Sequence, residues 1–563
     1  MTGIWFLIIV TAIIFAVFLI GYRNSKIEEK KFIMKCADEF GSAPSARLKK
    51  QRDDISGYFK ENISDYSVDD ITWNDLDMHT VYDRLNYCET SSGEEYLYYM
   101  LRTPQTEDTG IFAKMEKELE ALSGSEDERC KIKQCLLRVG KSGKYSIYDY
   151  LPLIDKANPG SDGFHILMLI IMAGSIFSMV FFNFMIGFLI LITAMAINVV
   201  SYYKIKASLQ PYMVTFSYVL RLIRGGRELL SLEDCTFYDE IREIKECTID
   251  LKSFTKGSWI LMSGSKVMGS GNPIDILMDY ARMLTHIDLI KFNSMYRKLQ
   301  DKKESVHKLT KDIGYIDSVM SVCYYRASLD RNYCKPEFLT EKHYEIKEGC
   351  HPLMNAPVPN TFTADRGFLI TGSNASGKST FLKMCAINTI LAQTIHTCIC
   401  KEYRASFFRV FSSMALKDDL NLGDSYYMVE IKSLKRILDA KDDSRAAVLC
   451  FIDEVLRGTN TVERIAASSK ILEFFANHKD SVMCFAATHD GELSDILGKL
   501  YDIRHFEGEM KENDVLFDYK LKDGPATKRN AINLLRTIGY NDMIVREAEN
   551  MAIRFENTGD WTL

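Results

Sequence analysis

The chain has 563 residues, which predicts roughly three to four domains. Its 70 Lys+Arg and 76 Asp+Glu residues give a net charge of −6, 47% of the residues are hydrophobic, and the mean hydropathy is −0.10. These averages are typical of a soluble protein and argue against a disordered chain, a polytopic carrier, or a surface that is basic throughout and wraps nucleic acid.

Residues 4–22 are the first local exception, because Ile4 to Ile20 carry no charge. A helix of about 20 apolar residues crosses a bilayer, so this stretch predicts a transmembrane helix. A cleaved signal peptide is the alternative, but the basic residues follow the apolar run and no small-residue cleavage site comes after it. Residues 23–66 are predicted to form a juxtamembrane linker, since residues 40–66 are rich in Ser, Asp and Lys.

Residues 164–203 are the second exception, with His165 as the one side chain that can carry a charge near neutral pH. Their length predicts a transmembrane hairpin that breaks at Asn183. Long buried helices of a soluble core are the alternative, but such helices rarely run so far without a charge. Basic residues after the first span and beside the hairpin favour three spans in the cytoplasmic membrane of a prokaryote, with the remaining domains cytoplasmic.

Residues 67–163 and 204–345 are predicted to be mainly helical, because apolar residues recur at three- and four-residue spacing. Pro211, Pro273 and Pro336 are the only expected interruptions of the second region. The chain has 14 cysteines but no C-x-x-C pair and no Cys/His knuckle. Reduced thiols are therefore predicted, and not disulfides or a zinc site.

Residues 346–563 alternate short apolar runs with helical stretches, as an α/β domain does. The run GSNASGKST matches the P-loop pattern G-x-x-x-x-G-K-[ST], and it lies between a strand-like GFLI and a helical FLKMCAINTILAQ. Backbone N–H groups of such a loop cradle phosphates, its lysine reaches the β- and γ-phosphates, and its Ser/Thr binds Mg²⁺. The predicted ATP-binding residues are Gly372, Ser373, Asn374, Ala375, Ser376, Gly377, Lys378, Ser379 and Thr380, with Ser379 also a metal ligand.

Two further apolar runs end in polar side chains that complete such a site. Residues 448–452 end in Asp453, predicted to hold Mg²⁺, and Glu454, predicted to orient and deprotonate the attacking water. Residues 482–487 lead to His489, which at the tip of a neighbouring strand can sense the γ-phosphate. The three features in order predict Mg²⁺-dependent ATP hydrolysis with Glu454 and His489 as catalytic residues.

Several segments together resemble the MutS-family mismatch-repair ATPases: TGSNASGKSTFLK, FIDEVLRGTNT, FAATHDGEL, DDLNLGDSYYMVEI and the closing DYKLKDGPATKRNAINLLRTIGY. The resemblance implies that 346–563 is an α/β P-loop NTPase domain of the ABC/MutS type with C-terminal dimerisation helices. It also implies a homodimer in which Ser425 reaches the partner subunit's nucleotide. A weaker likeness over 71–104 implies that 67–163 and 204–345 form the all-α lever domain, interrupted by the hairpin.

The chain also departs from that family. No room exists for its N-terminal mismatch-reading domain, and Phe59-Lys60-Glu61 has the letters of its wedge motif but lies in the linker. Leu456 and Asn460 replace the usual Gly and Ser after the Asp-Glu pair, and Tyr426-Tyr427 replace Thr-Phe. The resemblance implies DNA as a partner, whereas these departures argue against mismatch specificity.

Three functions are consistent with the sequence. The first is a membrane-anchored MutS-like ATPase dimer that couples nucleotide state to lever movement and binds DNA. The second is an ABC-type ATPase driving a membrane process, although no Leu-Ser-Gly-Gly-Gln-like signature lies between the P-loop and Asp453. The third is an ATP-gated membrane scaffold without hydrolysis or DNA binding, which the presence of Glu454 and His489 disfavours.

Overall fold

The computed structural model describes the chain in fifteen stretches: residues 31, 34–36, 38–42, 55–142, 146–150, 161–232, 235–257, 280–373, 376–414, 426–442, 445–456, 459–511, 514–526, 531–558 and 561. Contacts divide the chain into two compact units. The first comprises 1–62, 86–99 and 117–328, and we call it the helical unit. The second comprises 63–85, 100–116 and 329–563, and we call it the sheet unit. The predicted span 4–22 lies outside the described residues.

The first 328 residues fold into helices wherever the structure describes regular elements. They are α1 (Gly57–Glu61), α2 (Asp70–Asp75), α3 (Met78–Leu85), α4 (Ser91–Arg102), α5 (Ile111–Gly124), α6 (Glu126–Val139), α7 (Ile147–Tyr150), α8 (Asp162–Phe181), α9 (Phe184–Leu229), α10 (Tyr238–Asp250), α11 (Lys252–Thr255), α12 (Ile287–Gln300) and α13 (Lys303–Ser328).

The apolar hairpin consists of α8 and the first part of α9. The side chain of Asn183 accepts a hydrogen bond from the Ile186 N–H at 3.1 Å, which caps α9 where the sequence predicts the break. Two stretches, Asp162–Phe181 and Phe184–Leu209, are long and apolar enough to cross a membrane. Helix α9 continues through Pro211 for 46 residues in all, so this proline does not end the helix as expected.

The sheet unit continues with strands and helices that alternate along the chain. They are β1 (Glu337–Leu339), β2 (Tyr344–Gly349), β3 (Asn360–Ala364), β4 (Phe368–Thr371), α14 (Lys378–Ile395), β5 (Glu402–Ser406), β6 (Phe408–Ser413), α15 (Tyr426–Ala440), β7 (Ala447–Asp453), α16 (Thr461–Asn477), β8 (Val482–Thr488), α17 (Glu492–Leu497), β9 (Asp502–His505), β10 (Gly508–Lys511), β11 (Asp514–Phe517), β12 (Lys522–Asp523), α18 (Ala531–Ile538) and α19 (Asp542–Thr558).

A six-stranded sheet forms the centre of this unit, in the order β12-β9-β4-β8-β7-β6. All its neighbours pair in parallel except β12 with β9. Strands β4, β7 and β8 are buried almost without interruption, as expected of parallel strands covered on both faces. A smaller sheet has the order β1-β5-β2-β3, and β10 and β11 form a hairpin. The predicted α/β domain and helical region are both present.

The compact units divide the chain differently from the predicted domains. Residues 63–85 and 100–116, expected at the linker end and in the lever, belong to the sheet unit. Tyr66 shows why, since its hydroxyl donates to the Val410 carbonyl oxygen at 2.9 Å within the sheet unit's core. In the helical unit, the predicted linker residue Tyr58 is 4% exposed. Tyr58 and Tyr66 of the predicted linker are therefore each packed into a folded unit.

Candidate nucleotide site

Three adjacent parallel strands bring the predicted site residues to one edge of the central sheet. β4 lies beside β8, and β8 lies beside β7. The loop after β4 carries the glycine-rich motif, β7 ends at Asp453, and β8 ends at Thr488 directly before His489. Because parallel strands end at the same edge, residues more than 100 positions apart in sequence meet there.

Two glycines allow the loop after β4 to fold. Gly372 has φ +148°, and a Cβ atom on it would lie 2.7 Å from the Phe506 carbonyl oxygen. Gly377 has φ +105°, caps α14, and would bring a Cβ within 3.1 Å of the Tyr519 ring. Side chains other than hydrogen are therefore strained at both positions.

Lys378 and Ser379 begin α14 at the sheet edge. The Lys378 ammonium donates to the carbonyl oxygens of Gly372 at 2.8 Å and Ser373 at 3.0 Å. The Ser379 hydroxyl donates to Asp453 Oδ2 at 2.5 Å. Two oxygen ligands from separate elements thus lie together, which is the donor type that Mg²⁺ prefers.

Glu454 and His489 are in direct contact. His489 Nε2 lies 2.5 Å from Glu454 Oε1, and His489 Nδ1 lies 2.9 Å from the Gly372 carbonyl oxygen and 3.4 Å from Lys378 Nζ. Both oxygens only accept, so the imidazole donates to Glu454 with a proton on Nε2 and to the Gly372 carbonyl oxygen with a proton on Nδ1. The histidine therefore lies between the Glu454 carboxylate and the glycine-rich loop.

Ser376 supplies an unsatisfied polar atom at the centre of the loop. Its side chain is 1% exposed, and its Oγ has no hydrogen-bond partner among the described residues. It lies beside the N-terminus of α14, where no side chain caps the free N–H groups. A buried donor next to uncapped N–H groups and a lysine fits a bound anion such as a polyphosphate.

The turn after β7 has a strained backbone. Glu454 has φ +62° and Leu456 has φ +61°, a region that residues other than glycine rarely adopt. The Leu456 N–H donates to Glu430 Oε1 at 2.5 Å, and the Ser468 hydroxyl donates to the Val455 carbonyl oxygen at 3.0 Å. Helices α15 and α16 thus hold Glu454 in place, through contacts that no sequence motif indicates.

Arg464 of α16 holds the segment that carries His489. Its guanidinium donates two hydrogen bonds to Asp490, at 2.9 and 2.6 Å, in the bidentate geometry of a strong ion pair. The Asp490 N–H donates to the Thr488 hydroxyl at 3.0 Å. Neither Arg464 nor Asp490 was among the predicted site residues, because the pairing joins residues from separate elements.

A cavity of about 740 Å³ opens at these residues and extends to a wall that the sequence prediction missed. Tyr519 lines the cavity. The Asn360 side chain fixes the backbone around Tyr519 by donating to the Tyr519 carbonyl oxygen at 3.1 Å and accepting from the Leu521 N–H at 2.8 Å. His351 lines it too. Burial, with Lys383 and Arg84 nearby, lowers the pKa of His351 to about 4.

Eight of the predicted site residues line the cavity: Ser376, Gly377, Lys378, Ser379, Thr380, Asp453, Glu454 and His489. Gly372 and Ser373 meet them through the Lys378 ammonium. The predicted residues Asn374, Ala375 and Ser425 lie outside the described residues.

Comparison with known proteins gives the same family as the motifs. Residues 368–556 match the family model for MutS domain V. The chain is 27% identical over 297 residues to the DNA mismatch repair protein MutS of Lactobacillus delbrueckii subsp. bulgaricus, covering 51% of this chain and 34% of the relative. It is 28% identical over 298 residues to that of Bacillus velezensis, with the same coverage, and 32% identical over 238 residues to that of Clostridium tetani, covering 39% and 27%.

This chain therefore spans about a third of the length of the relatives it matches. The match to the family model lies in the C-terminal part of the chain and includes β4, β7 and β8 with the loops that follow them. Residues 368–556 therefore match a MutS domain V, and in this region the chain is similar to the MutS proteins.

Proposed function

We propose that the protein is a Mg²⁺-dependent ATPase whose site is the cavity at the end of β4, β7 and β8. The observation that carries the proposal is the meeting of Lys378, Ser379, Asp453, Glu454 and His489 at one sheet edge. An ATP-gated scaffold needs only a phosphate-binding residue such as Lys378, whereas hydrolysis also needs a general base beside the phosphates. The contact between Glu454 and His489 therefore favours hydrolysis.

Each residue has one role in this proposal. Lys378 and the loop N–H groups bind the phosphates, and the orphaned Ser376 hydroxyl donates to one of them. Ser379 and Asp453 hold Mg²⁺, which when bound neutralises charge on the phosphate oxygens. Glu454 accepts a proton from the attacking water, and His489 fixes the orientation of Glu454. The Tyr519 ring supplies a flat apolar wall for the adenine ring of ATP.

The experiment that tests nucleotide binding uses Lys378→Ala with Lys401→Ala as the control, since Lys401 is exposed and absent from the cavity lining. Titration of a fluorescent ATP analogue should give saturable binding by the wild type and the control and a large loss of affinity in Lys378→Ala. Equal affinity of all three proteins would contradict the phosphate assignment.

We infer that the protein is a homodimer through α18 and α19. These helices expose large apolar side chains, among them Ile538 at 74% and Met543 at 72%. A second copy of the same helices would bury these side chains. The resemblance to the MutS family also implies dimerisation through the C-terminal helices. Sedimentation velocity should give a dimer for the wild type and a monomer for Met543→Glu. The predicted role of Ser425 in the partner's site stays a prediction.

We also propose that the α8–α9 hairpin inserts in a membrane. Its apolar side chains are largely exposed, with Phe182 at 81%, Met185 at 71% and Val180 at 70%, and a soluble protein would rarely leave such a patch uncovered. A Phe182→Cys variant should react with an impermeant maleimide in intact cells, whereas Ser231→Cys should react only after lysis. Recovery of the protein in the soluble fraction would contradict the proposal.

DNA binding is a second candidate function, and a group of cations in the helical unit favours it. We call this group the basic pocket: it is a cavity of about 770 Å³ lined by Arg227, Lys252, Lys256 and Lys302, with Thr248, Ile249, Asp250, Ser253 and Thr255. Lys291 donates to the Lys256 carbonyl oxygen, and burial with Lys298 and Lys256 nearby lowers its pKa. Closely spaced cations of this kind attract a polyanion.

The basic pocket can be tested with homoduplex and mismatched DNA across a salt series. Affinity should fall steeply with salt, and Lys252→Glu with Lys256→Glu should weaken binding to both duplexes, whereas the exposed control Lys245→Glu should not. Equal affinity for the two duplexes would leave a DNA clamp without mismatch specificity. An absence of salt-dependent binding would remove DNA from the function.

A further inference from the structure

Three cysteines of the sheet unit lie together away from the nucleotide cavity. Cys334 precedes β1, and Cys398 and Cys400 precede β5. The backbones of Cys334 and Cys398 exchange both N–H···O bonds, at 2.9 and 3.0 Å, as an isolated antiparallel bridge. This bridge brings Cys334 Sγ to 3.2 Å from Cys400 Sγ. The two sulfurs are thus already in contact.

The exposure of the three thiols differs. Cys398 is fully buried and Cys400 is 6% exposed, whereas Cys334 is only half-buried and accessible to a small solute. Hydrogen bonds from the neighbouring thiols lower the pKa of Cys334, while the pKa values of Cys398 and Cys400 are raised. The accessible thiol is therefore the one of the three that ionises most readily.

A structural role is the alternative, since buried cysteines often serve only as small apolar side chains. Cys450 and Cys484 show what that role looks like in this protein. They are cross-strand neighbours on β7 and β8, each at most 2% exposed, and burial raises the pKa of Cys450. The Cys334 group differs in having one accessible thiol in contact with a second thiol. Among the described residues, no group of three or more His, Cys, Asp or Glu side chains is arranged to hold a metal ion.

We propose that Cys334 and Cys400 form a peroxide-reactive dithiol, a site of reversible disulfide formation. The Cys334 thiolate attacks one oxygen of hydrogen peroxide, the O–O bond breaks, and after proton transfer water leaves and Cys334 becomes a sulfenic acid. The Cys400 sulfur then attacks the Cys334 sulfur, and a second water leaves as the S–S bond forms. Two thiols are oxidised and one peroxide is reduced to two waters.

The local structure allows this step with little movement. The sulfurs must approach by about 1.2 Å to reach a disulfide bond length of about 2.05 Å. Both cysteines lie in short segments directly before paired strands, since β1 pairs with β5 in parallel from Glu337 and Arg404 onward. Disulfides in reducing compartments are commonly transient and redox-sensing, which fits a pair with one accessible member.

Mass spectrometry of the full chain tests the proposal. The reduced protein is treated with hydrogen peroxide, alkylated with iodoacetamide and digested with trypsin. We expect a linked product of the peptides containing residue 334 and residues 398–400, two hydrogens lighter than the sum of the free peptides and lost on reduction. Cys450 and Cys484 should remain alkylatable only after unfolding, and Cys350, which is equally half-buried, should not join a disulfide.

Variants assign the link within that product. Cys400→Ser should abolish the linked peptide and leave Cys334 oxidised to a sulfenic acid, which dimedone traps. Cys398→Ser should retain the linked peptide. Two results would overturn the proposal. In the first, Cys334 and Cys400 both still react with iodoacetamide when Cys350 is already oxidised. In the second, the linked peptide persists in Cys400→Ser and disappears in Cys398→Ser.

Discussion

Glu454→Gln is the substitution that separates hydrolysis from binding most cleanly. The glutamine side chain has the same size and can still contact His489, whose Nε2 lies 2.5 Å from Glu454 Oε1. Lys378, Ser379 and Asp453 make their contacts without Glu454, so ATP and Mg²⁺ binding should be unchanged. The amide cannot accept a proton, and only the proton transfer is lost.

The expected loss follows from the role of a general base, which contributes about 100- to 10,000-fold to a rate. That range corresponds to about 2.7 to 5.4 kcal/mol of barrier. The kcat for ATP should therefore fall at least about 100-fold, while ATP affinity stays at the wild-type value. If the protein dimerises on ATP, the variant should also accumulate as an ATP-bound dimer, because it cannot hydrolyse the nucleotide.

The assay is phosphate release under saturating ATP and Mg²⁺, with affinity measured separately by titration. Glu492→Gln is the matched control, since Glu492 is exposed in the first turn of α17 and does not line the cavity. The control should hydrolyse ATP at the wild-type rate. Hydrolysis by Glu454→Gln at that same rate would show that Glu454 is not the base.

Three further predictions concern residues around the site and the core. Arg464→Ala should free Asp490 and let His489 shift, which lowers kcat by up to about 100-fold while ATP affinity is unchanged. Arg464→Lys should recover part of the loss. A fall in ATP affinity without a fall in kcat would contradict a positioning role. His351 has a folded-state pKa of about 4, below the ordinary 6.5, so the unfolded chain binds a proton at this histidine before the folded chain does. The free energy of unfolding should therefore decrease as the pH falls from 6.5 to 4, by at most about 1.4 kcal/mol per pH unit. His351→Gln should have a shallower slope in urea unfolding over that range, and an identical slope would refute the shift. Asp75→Ala should lower the free energy of unfolding by about 2 to 4 kcal/mol in the same assay. The reason is that Asp75 Oδ2 accepts hydrogen bonds from the Ser412 hydroxyl at 2.7 Å and the Met414 N–H at 2.9 Å. Asp65→Ala, at an exposed position, is the control, and equal stability of the two variants would contradict the reasoning.

The sequence alone predicted the strands that carry the candidate site residues. The strands before Gly372, at 448–452 and at 482–487 are present as β4, β7 and β8, because uninterrupted apolar runs between polar ends are characteristic of buried parallel strands. The helix break at Asn183 is also present. These features depend on local pattern, which a single sequence records.

The features that were missed depend on contacts between distant segments. Glu430 holds the turn after Glu454, and Asn360 holds Tyr519 over the cavity, but neither residue lies in a motif that indicates its partner. Tyr66 contacts Val410 across 344 positions, so the predicted linker boundary could not anticipate that 63–85 belongs to the sheet unit. Packing over such separations leaves no periodic signal in the chain.

Two of the three predicted spans coincide with described helices, and the first lies outside the described residues. Helix α9 also differs from expectation in continuing past Pro211. A proline removes one backbone hydrogen bond and disfavours the preceding turn, but a helix of 46 residues retains the bonds on either side of it. The pattern of apolar residues predicted the hairpin, whereas the length of the helix beyond it was set by the packing of its later turns.

The measurement that tests the central claim most directly is ATP turnover by the full chain in lipid nanodiscs, with and without Mg²⁺, in the wild type and in Lys378→Ala. The proposed site predicts turnover that requires Mg²⁺ and is lost in Lys378→Ala. Turnover that persists in Lys378→Ala, or a wild type that binds ATP and Mg²⁺ without hydrolysis, would contradict it.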